Sequence, residues 1–174
     1  QASGGAGPQP VPTSSYAEVR ALVERMQAGE VDVLLIHNAN PAYEMPAELG
    51  FTDALANVGT VVSFSPLPDE TAVYADLILP DRVYLEGWGY EAATPAIGGV
   101  PAISSQQPVV GPLHDVRPTA DVLLTVARGI AAAAAALPWA DEVAFIREQV
   151  MALPAAAYGG EGDDLRWARF QQFG

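Results

Sequence analysis

The stretch VDVLLIHNANPAYEMPAELGFTDALANVGTVVSFSPLPDETAVYADLILPDRVYLEGWG, residues 31–89, decides the fold. It contains two apolar runs, Val31–Ile36 and Thr60–Phe64, and each closes on a polar, turn-forming loop. Short runs rich in Val, bounded by Asn, Pro and Gly, suit strands buried on both faces of a parallel sheet. The segment between them has helical character, so the unit reads as strand, helix, strand, with a right-handed crossover. Leu77–Leu79 adds a third, short strand closed by Pro80. The fold class is therefore α/β, with a small, mainly parallel, Rossmann-like sheet flanked by helices. Ligands of such sheets bind at the carboxyl ends of the strands. Those ends are His37-Asn38-Ala39-Asn40-Pro41 and Ser65-Pro66-Leu67-Pro68-Asp69-Glu70-Thr71.

Upstream, Ser15–Glu30 reads as a helix. Ser15 and Glu18 form a capping box, Val19, Leu22, Val23 and Met26 share one face, and Gly29 is placed to end it. Between the strands, Pro41 and Pro46 break the chain, and a short helix is expected to begin near Pro46 or Phe51, with Thr52 and Asp53 as candidate caps for Ala54–Val58 and Gly59 as its end. Asp69 caps a brief helix over Glu70–Ala75. Regularity fades across residues 80–118, a long Gly- and Pro-rich loop of a kind that is functional or serves as a contact surface. Within it, Val100–Ser104 and Gln107–Val110 read as short extended pieces. Pro118-Thr119-Ala120-Asp121 opens a helix expected to run through the six alanines to Ala136, and Ala140–Leu153 forms another. A last helix over Leu165–Phe173 carries Trp167, Phe170 and Phe173, an aromatic set that predicts docking on a further surface. The organisation is thus a flexible lead-in over residues 1–14, an α/β domain over 15–136, and a helical tail over 137–174 docking on a neighbouring domain or subunit.

The net charge of −13, from 21 acidic and 8 basic residues, excludes a nucleic-acid or anionic-membrane surface, since no basic cluster exists to meet phosphates. The absence of cysteine removes disulfides, thiol catalysis and cysteine-held iron–sulfur clusters from this chain. No apolar run reaches the roughly 20 residues of a membrane span. The first residues lack the charged start and apolar centre of a signal peptide, and the missing initiator Met suggests a processed or partial chain.

A strand closing on Asn40-Pro41, a helix, a second strand, Glu70-Thr71-Ala72 and then Tyr74-Ala75-Asp76-Leu77-Ile78-Leu79-Pro80 together resemble the molybdopterin oxidoreductase (dimethyl sulfoxide reductase) family. Tyr84-Leu85-Glu86-Gly87-Trp88-Gly89, Gln107-Pro108-Val109-Val110 and Asp121-Val122-Leu123-Leu124 are most similar to the large iron–sulfur, molybdopterin-like subunit of alternative complex III. The resemblance runs from about Tyr16 to Leu124. It implies an α/β domain of the kind that surrounds a bis-pterin molybdenum cofactor. It also implies a non-catalytic scaffold role in a membrane-bound quinol oxidoreductase of respiratory or photosynthetic chains, on the periplasmic side of the bacterial inner membrane. Iron–sulfur clusters and haem are then expected elsewhere in the complex, and no cofactor in this chain. The alternative is a fragment of a true molybdenum bis-pterin oxidoreductase. A free-standing acidic binding module is a third possibility.

The resemblance places Asn38, Asn40, Glu70 and Thr71 as the cofactor-facing candidates. Asn38 and Asn40 can offer amides to a pyrophosphate or base edge, or can satisfy turn geometry, since Asn tolerates the left-handed region. Glu70 and Thr71 sit on the matching loop, where the alternative is helix capping. Neither GxGxxG nor a P-loop pattern accompanies them. After Glu86 and Trp88 this chain has Gly89-Tyr90-Glu91-Ala92, where catalytic members continue with Gly-Thr and an Asn-containing stretch. That departure agrees with the branch lacking molybdenum. His37 and His114, the two histidines, have no partner at metal-ligand spacing, and no G-x-S-x-G elbow supports a serine nucleophile. No catalytic or metal-binding residue is expected.

Overall fold

A computed structural model describes residues 13–93, 102–152 and 162–173. The chain divides into two compact units whose boundary falls between Asp81 and Arg82, inside the segment read from the sequence as one domain.

The first unit begins with α1 (Tyr16–Gln27), which starts where the sequence says it must. Ser15 Oγ accepts from Glu18 N at 3.3 Å while the Glu18 carboxylate accepts from Ser15 N at 2.6 Å, so both ends of the capping box are closed. Gly29, at φ +71°, takes the left-handed turn beyond the helix that a side chain would resist. Three strands follow: β1 (Val33–Ile36), β2 (Thr60–Ser63) and β3 (Leu77–Ile78), in the order β1-β2-β3 and all parallel. Val33 aligns with Thr60 and Ile36 with Ser63, so β1 and β2 finish level and deliver their carboxyl ends to one edge. β3 is only two residues long, but Asp76 extends its hold on β2: its carboxylate accepts from Val61 N at 2.8 Å, and its own N–H donates to Val61 O at 2.9 Å.

Between β1 and β2 lie α2 (Pro41–Glu44), a 3-10 turn (Ala47–Leu49) and α3 (Phe51–Leu55). α3 begins at Phe51, one of the two starts expected, and the 3-10 turn follows Pro46, the other. The candidate caps Thr52 and Asp53 lie inside α3, whose cap is Gly50 at φ +66°. Glycine there supplies a backbone that no Thr or Asp cap could adopt cheaply. Val23 and Met26 of α1 pack with Ile36, Val61 and the α3 residues Phe51, Ala54 and Leu55 to form the core. Met26 and Ala54 are wholly buried, and each large side chain so removed from water contributes about 1.5–3 kcal/mol.

The second unit holds an antiparallel pair, β4 (Gly89–Ala93) with β5 (Ala102–Gln106), then α4 (Thr119–Arg128), α5 (Ala131–Ala136), α6 (Glu142–Ala152) and α7 (Asp163–Phe173). The hairpin lies in the segment expected to be irregular. β5 takes up Ala102–Ser104 of the extended piece read there and runs on to Gln106, while Gln107–Val110 forms no strand. β4, a Gly- and Ala-bearing strand without alternation, was not foreseen. The helix expected to run unbroken to Ala136 is interrupted: Ile130 is extended at φ −120°, ψ 107°, splitting it into α4 and α5. Gly129 followed by a β-branched residue is the weakest helical point in that run. In the tail, Ile146 and Val150 of α6 enclose Phe170 of α7, with Trp88, Tyr90, Phe145, Met151 and Trp167 around them. Trp167 stacks on Trp88 at 5.9 Å and on Phe170 at 5.3 Å, and Ser105 Oγ donates to Phe170 O at 3.0 Å. Two of the three tail aromatics are thus taken up within their own unit. The lead-in over 1–12, the start of the piece at Val100, the Tyr158-Gly159-Gly160 turn and the Phe173 side chain lie outside the described residues.

Candidate functional site

The parallel register puts the loops after β1 and β2 side by side, and one residue ties them together. Asn40 ends the first loop half-buried; Thr71 ends the second and is fully buried. The Asn40 Oδ1 accepts from Thr71 Oγ1 at 2.7 Å and from Thr71 N at 3.2 Å, while its Nδ2 donates to Glu70 Oε2 at 2.7 Å. Thr71 Oγ1 in turn accepts from Ala42 N at 3.0 Å, at the start of α2. Three of the four cofactor-facing candidates therefore form one network. An amide oxygen has two acceptor positions and both are used, so Asn40 keeps at most one N–H for anything outside.

Asp69 caps the following 3-10 turn (Ala72–Tyr74) as expected, its Oδ1 accepting from Ala72 N at 2.7 Å, and neither the Glu70 nor the Thr71 side chain does so. The Ser65 hydroxyl, donating to Leu67 O at 2.6 Å, stiffens the approach to this turn. Asn38 stands apart from the network. It is exposed and holds φ +51°, the only non-glycine in the left-handed region among the described residues. Asn pays less for that conformation than a larger side chain would, because its short amide bonds locally.

The hydrogen bond from Asn40 favours the charged form of Glu70 and holds its carboxyl below the ordinary value of 4.5, with a backbone bond adding to the effect. A carboxyl whose folded value is depressed stabilises the fold above its unfolded value, and that contribution disappears as pH falls through the folded one. Acid titration of unfolding should therefore show stability falling as pH drops below 4.5, with a smaller fall in Glu70→Gln. Equal acid sensitivity of the two proteins would show that the bond to Asn40 does not form in solution.

Nothing in the sequence signals the partner of His37. Its Nε2 lies 2.8 Å from Asp81 Oδ2, and the ring of Phe64 meets it edge-on at 6.5 Å. Asp81 is 44 positions away, and only the parallel topology, which returns the chain to the same sheet edge after β3, brings it near. In the second unit, Glu86 is buried and accepts from Leu113 N at 2.9 Å, which pins two loop segments together; Trp88 is engaged in the stack with Trp167. Gln107 donates to Gln171 O, and His114 is exposed. No cluster of three or more potential metal ligands occurs among the described residues.

The charges at the sheet edge decide what it can hold. The strand-end loops and the chain just after β3 carry Asp69, Glu70 and Asp81, and residues 32–81 contain neither Arg nor Lys; all 8 basic residues lie outside that stretch. A pterin dinucleotide carries a pyrophosphate, which needs cations or a ring of free N–H donors. Here the best-placed amide is committed to neighbouring side chains and stands beside an ionised carboxylate. Among the side chains of residues 32–81, the charges do not suit a pyrophosphate.

The comparisons with known proteins agree with the family resemblance read from this segment. The family model for molybdopterin oxidoreductase matches residues 6–128. Over 93 residues the chain is 37% identical to the menaquinone reductase, molybdopterin-binding-like subunit of Nitratidesulfovibrio vulgaris. That alignment covers 53% of this chain but only 13% of the relative.

Proposed function

Because the chain belongs to the molybdopterin oxidoreductase family, we propose that it is a non-catalytic scaffold domain within the electron-transfer subunit of a membrane-bound, quinol-linked oxidoreductase of the alternative complex III type. The observation that carries the reading is the closed Asn40–Thr71–Glu70 network. This chain spends the Asn40 amide and the Thr71 hydroxyl on joining its own loops. The acidic sheet edge supports the same view. So does the relative, whose name places it in a quinone reductase as a binding-like subunit.

In this role the chain moves no electrons itself. It would hold an α/β body beside iron–sulfur and haem carriers borne by other parts of the complex, on the periplasmic side of the inner membrane. No helix among the described residues is long and apolar enough to cross a membrane, so any anchoring would come from other segments or subunits. The alternative, a fragment of a true molybdenum enzyme, needs the same loops to receive a bis-pterin, for which their charges are unsuited.

Native mass spectrometry with metal analysis of the intact complex separates the two. Stoichiometric iron and haem without molybdenum is the expected result. One molybdenum with pterin per copy of the subunit would overturn the proposal.

A further inference from the structure

β1 lies at the edge of its sheet, with β2 on one side and, among the described residues, no strand on the other. In a parallel ladder, alternate residues direct their N–H and C=O to opposite neighbours. The carbonyls of Asp32 and Ile36 accept from Thr60 N at 2.8 Å and Phe64 N at 2.9 Å, so residues of that parity face β2. Val33 and Leu35 consequently turn their backbone groups to the open side. Their side chains are apolar and remain 57% and 50% exposed. The usual devices that blunt an edge are a Lys, a Pro, a bulge or an inward charge, and Val33-Leu34-Leu35-Ile36 contains none of them.

We propose that this edge receives a further apolar strand, running parallel to β1 and pairing with the main chain of Val33 and Leu35, contributed by another part of a longer polypeptide that carries this chain. Three considerations select that occupant. The relative is far longer than the region it shares with this chain, which accounts for 13% of it, so most of such a polypeptide must pack elsewhere. A second copy related by a two-fold axis would place β1 against its own image, antiparallel, through a strand of 4 residues. So short a contact falls well below the roughly 1,200 Å² that a stable interface buries. A strand of the same polypeptide needs no such area, because it does not give up free translation and rotation when it pairs. Its addition also continues the parallel order already set by β1, β2 and β3.

The test is hydrogen exchange on the intact subunit from its source, read at single-amide resolution, together with its assembly mass. The Val33 and Leu35 amides should exchange within about tenfold of the Leu34 and Ile36 amides, as paired strand amides do. Exchange about 100-fold faster at Val33 and Leu35 alone marks an open edge and overturns the proposal. Leu35→Pro supplies a second reading, since it deletes only an outward N–H and leaves the ladder to β2 whole. The paired edge predicts about a tenfold drop in folded intact subunit, and an unchanged yield counts against it. Protection that appears only in a dimer, with β1 cross-linked to β1 in antiparallel register, assigns the edge to a second copy and likewise overturns the proposal.

Discussion

Asn40→Ala should lower the stability of the parallel-sheet unit by about 3 kcal/mol, read as a lower urea midpoint at unchanged slope. The substitution removes three hydrogen bonds at once. The cost comes mainly from Thr71. Its side chain is wholly buried, and its N–H would lose its partner inside the protein, a loss that typically costs about 1–3 kcal/mol per group. The bond to the exposed Glu70 adds little. Asn38→Gly is the control: its side chain is outside the network and glycine accepts the left-handed backbone, so the change should stay within about 0.5 kcal/mol. The pair also bears on function. A side chain kept for a cofactor would leave the stability of the cofactor-free protein nearly unchanged when truncated. A large loss of stability at Asn40 is what a structural tie requires.

Phe170→Ala should be at least as damaging to the second unit, at about 3–5 kcal/mol. Phe170 has no exposed surface, is enclosed by Ile146 and Val150, and stacks on Trp167. Deleting the ring opens a cavity at the meeting of α6, α7 and the hairpin and frees Trp167 from Trp88. The optical signature is therefore specific: the near-ultraviolet dichroism of the stacked tryptophans should collapse while the far-ultraviolet helix signal changes little. A variant that keeps both the dichroism and the unfolding midpoint would show that α7 is not docked.

Much of the first unit was legible because its signals are local. The capping box at Ser15 and Glu18, the apolar runs that became β1 and β2, and Gly29 as terminator each depend on residues within one turn or one strand. The site was legible only as a location. Strand-end loops in an open sheet are where ligands go, and the four candidates fall there, but their hydrogen bonds were not readable. Asn40 reaches a residue 31 positions on, and His37 one 44 positions on; such pairings depend on the parallel register. The second unit was harder still. Only β5 was foreseen, in part, as an extended piece; its partner β4 has no alternating pattern, and the break at Ile130 turns on a single residue whose backbone is extended amid good helix formers.

The position of Asn40 has a bearing on how the protein ages. Asparagines deamidate chiefly when the backbone nitrogen of the next residue attacks the side-chain carbonyl and closes a five-membered imide. The next residue here is Pro41, the first of α2, and a proline nitrogen has no hydrogen to lose. The residue that joins the two loops is therefore shielded from the commonest spontaneous damage to its kind. Asn38, exposed and followed by Ala39, has no such shield, and isoaspartate in an old preparation should accumulate there while the tie at Asn40 stays intact.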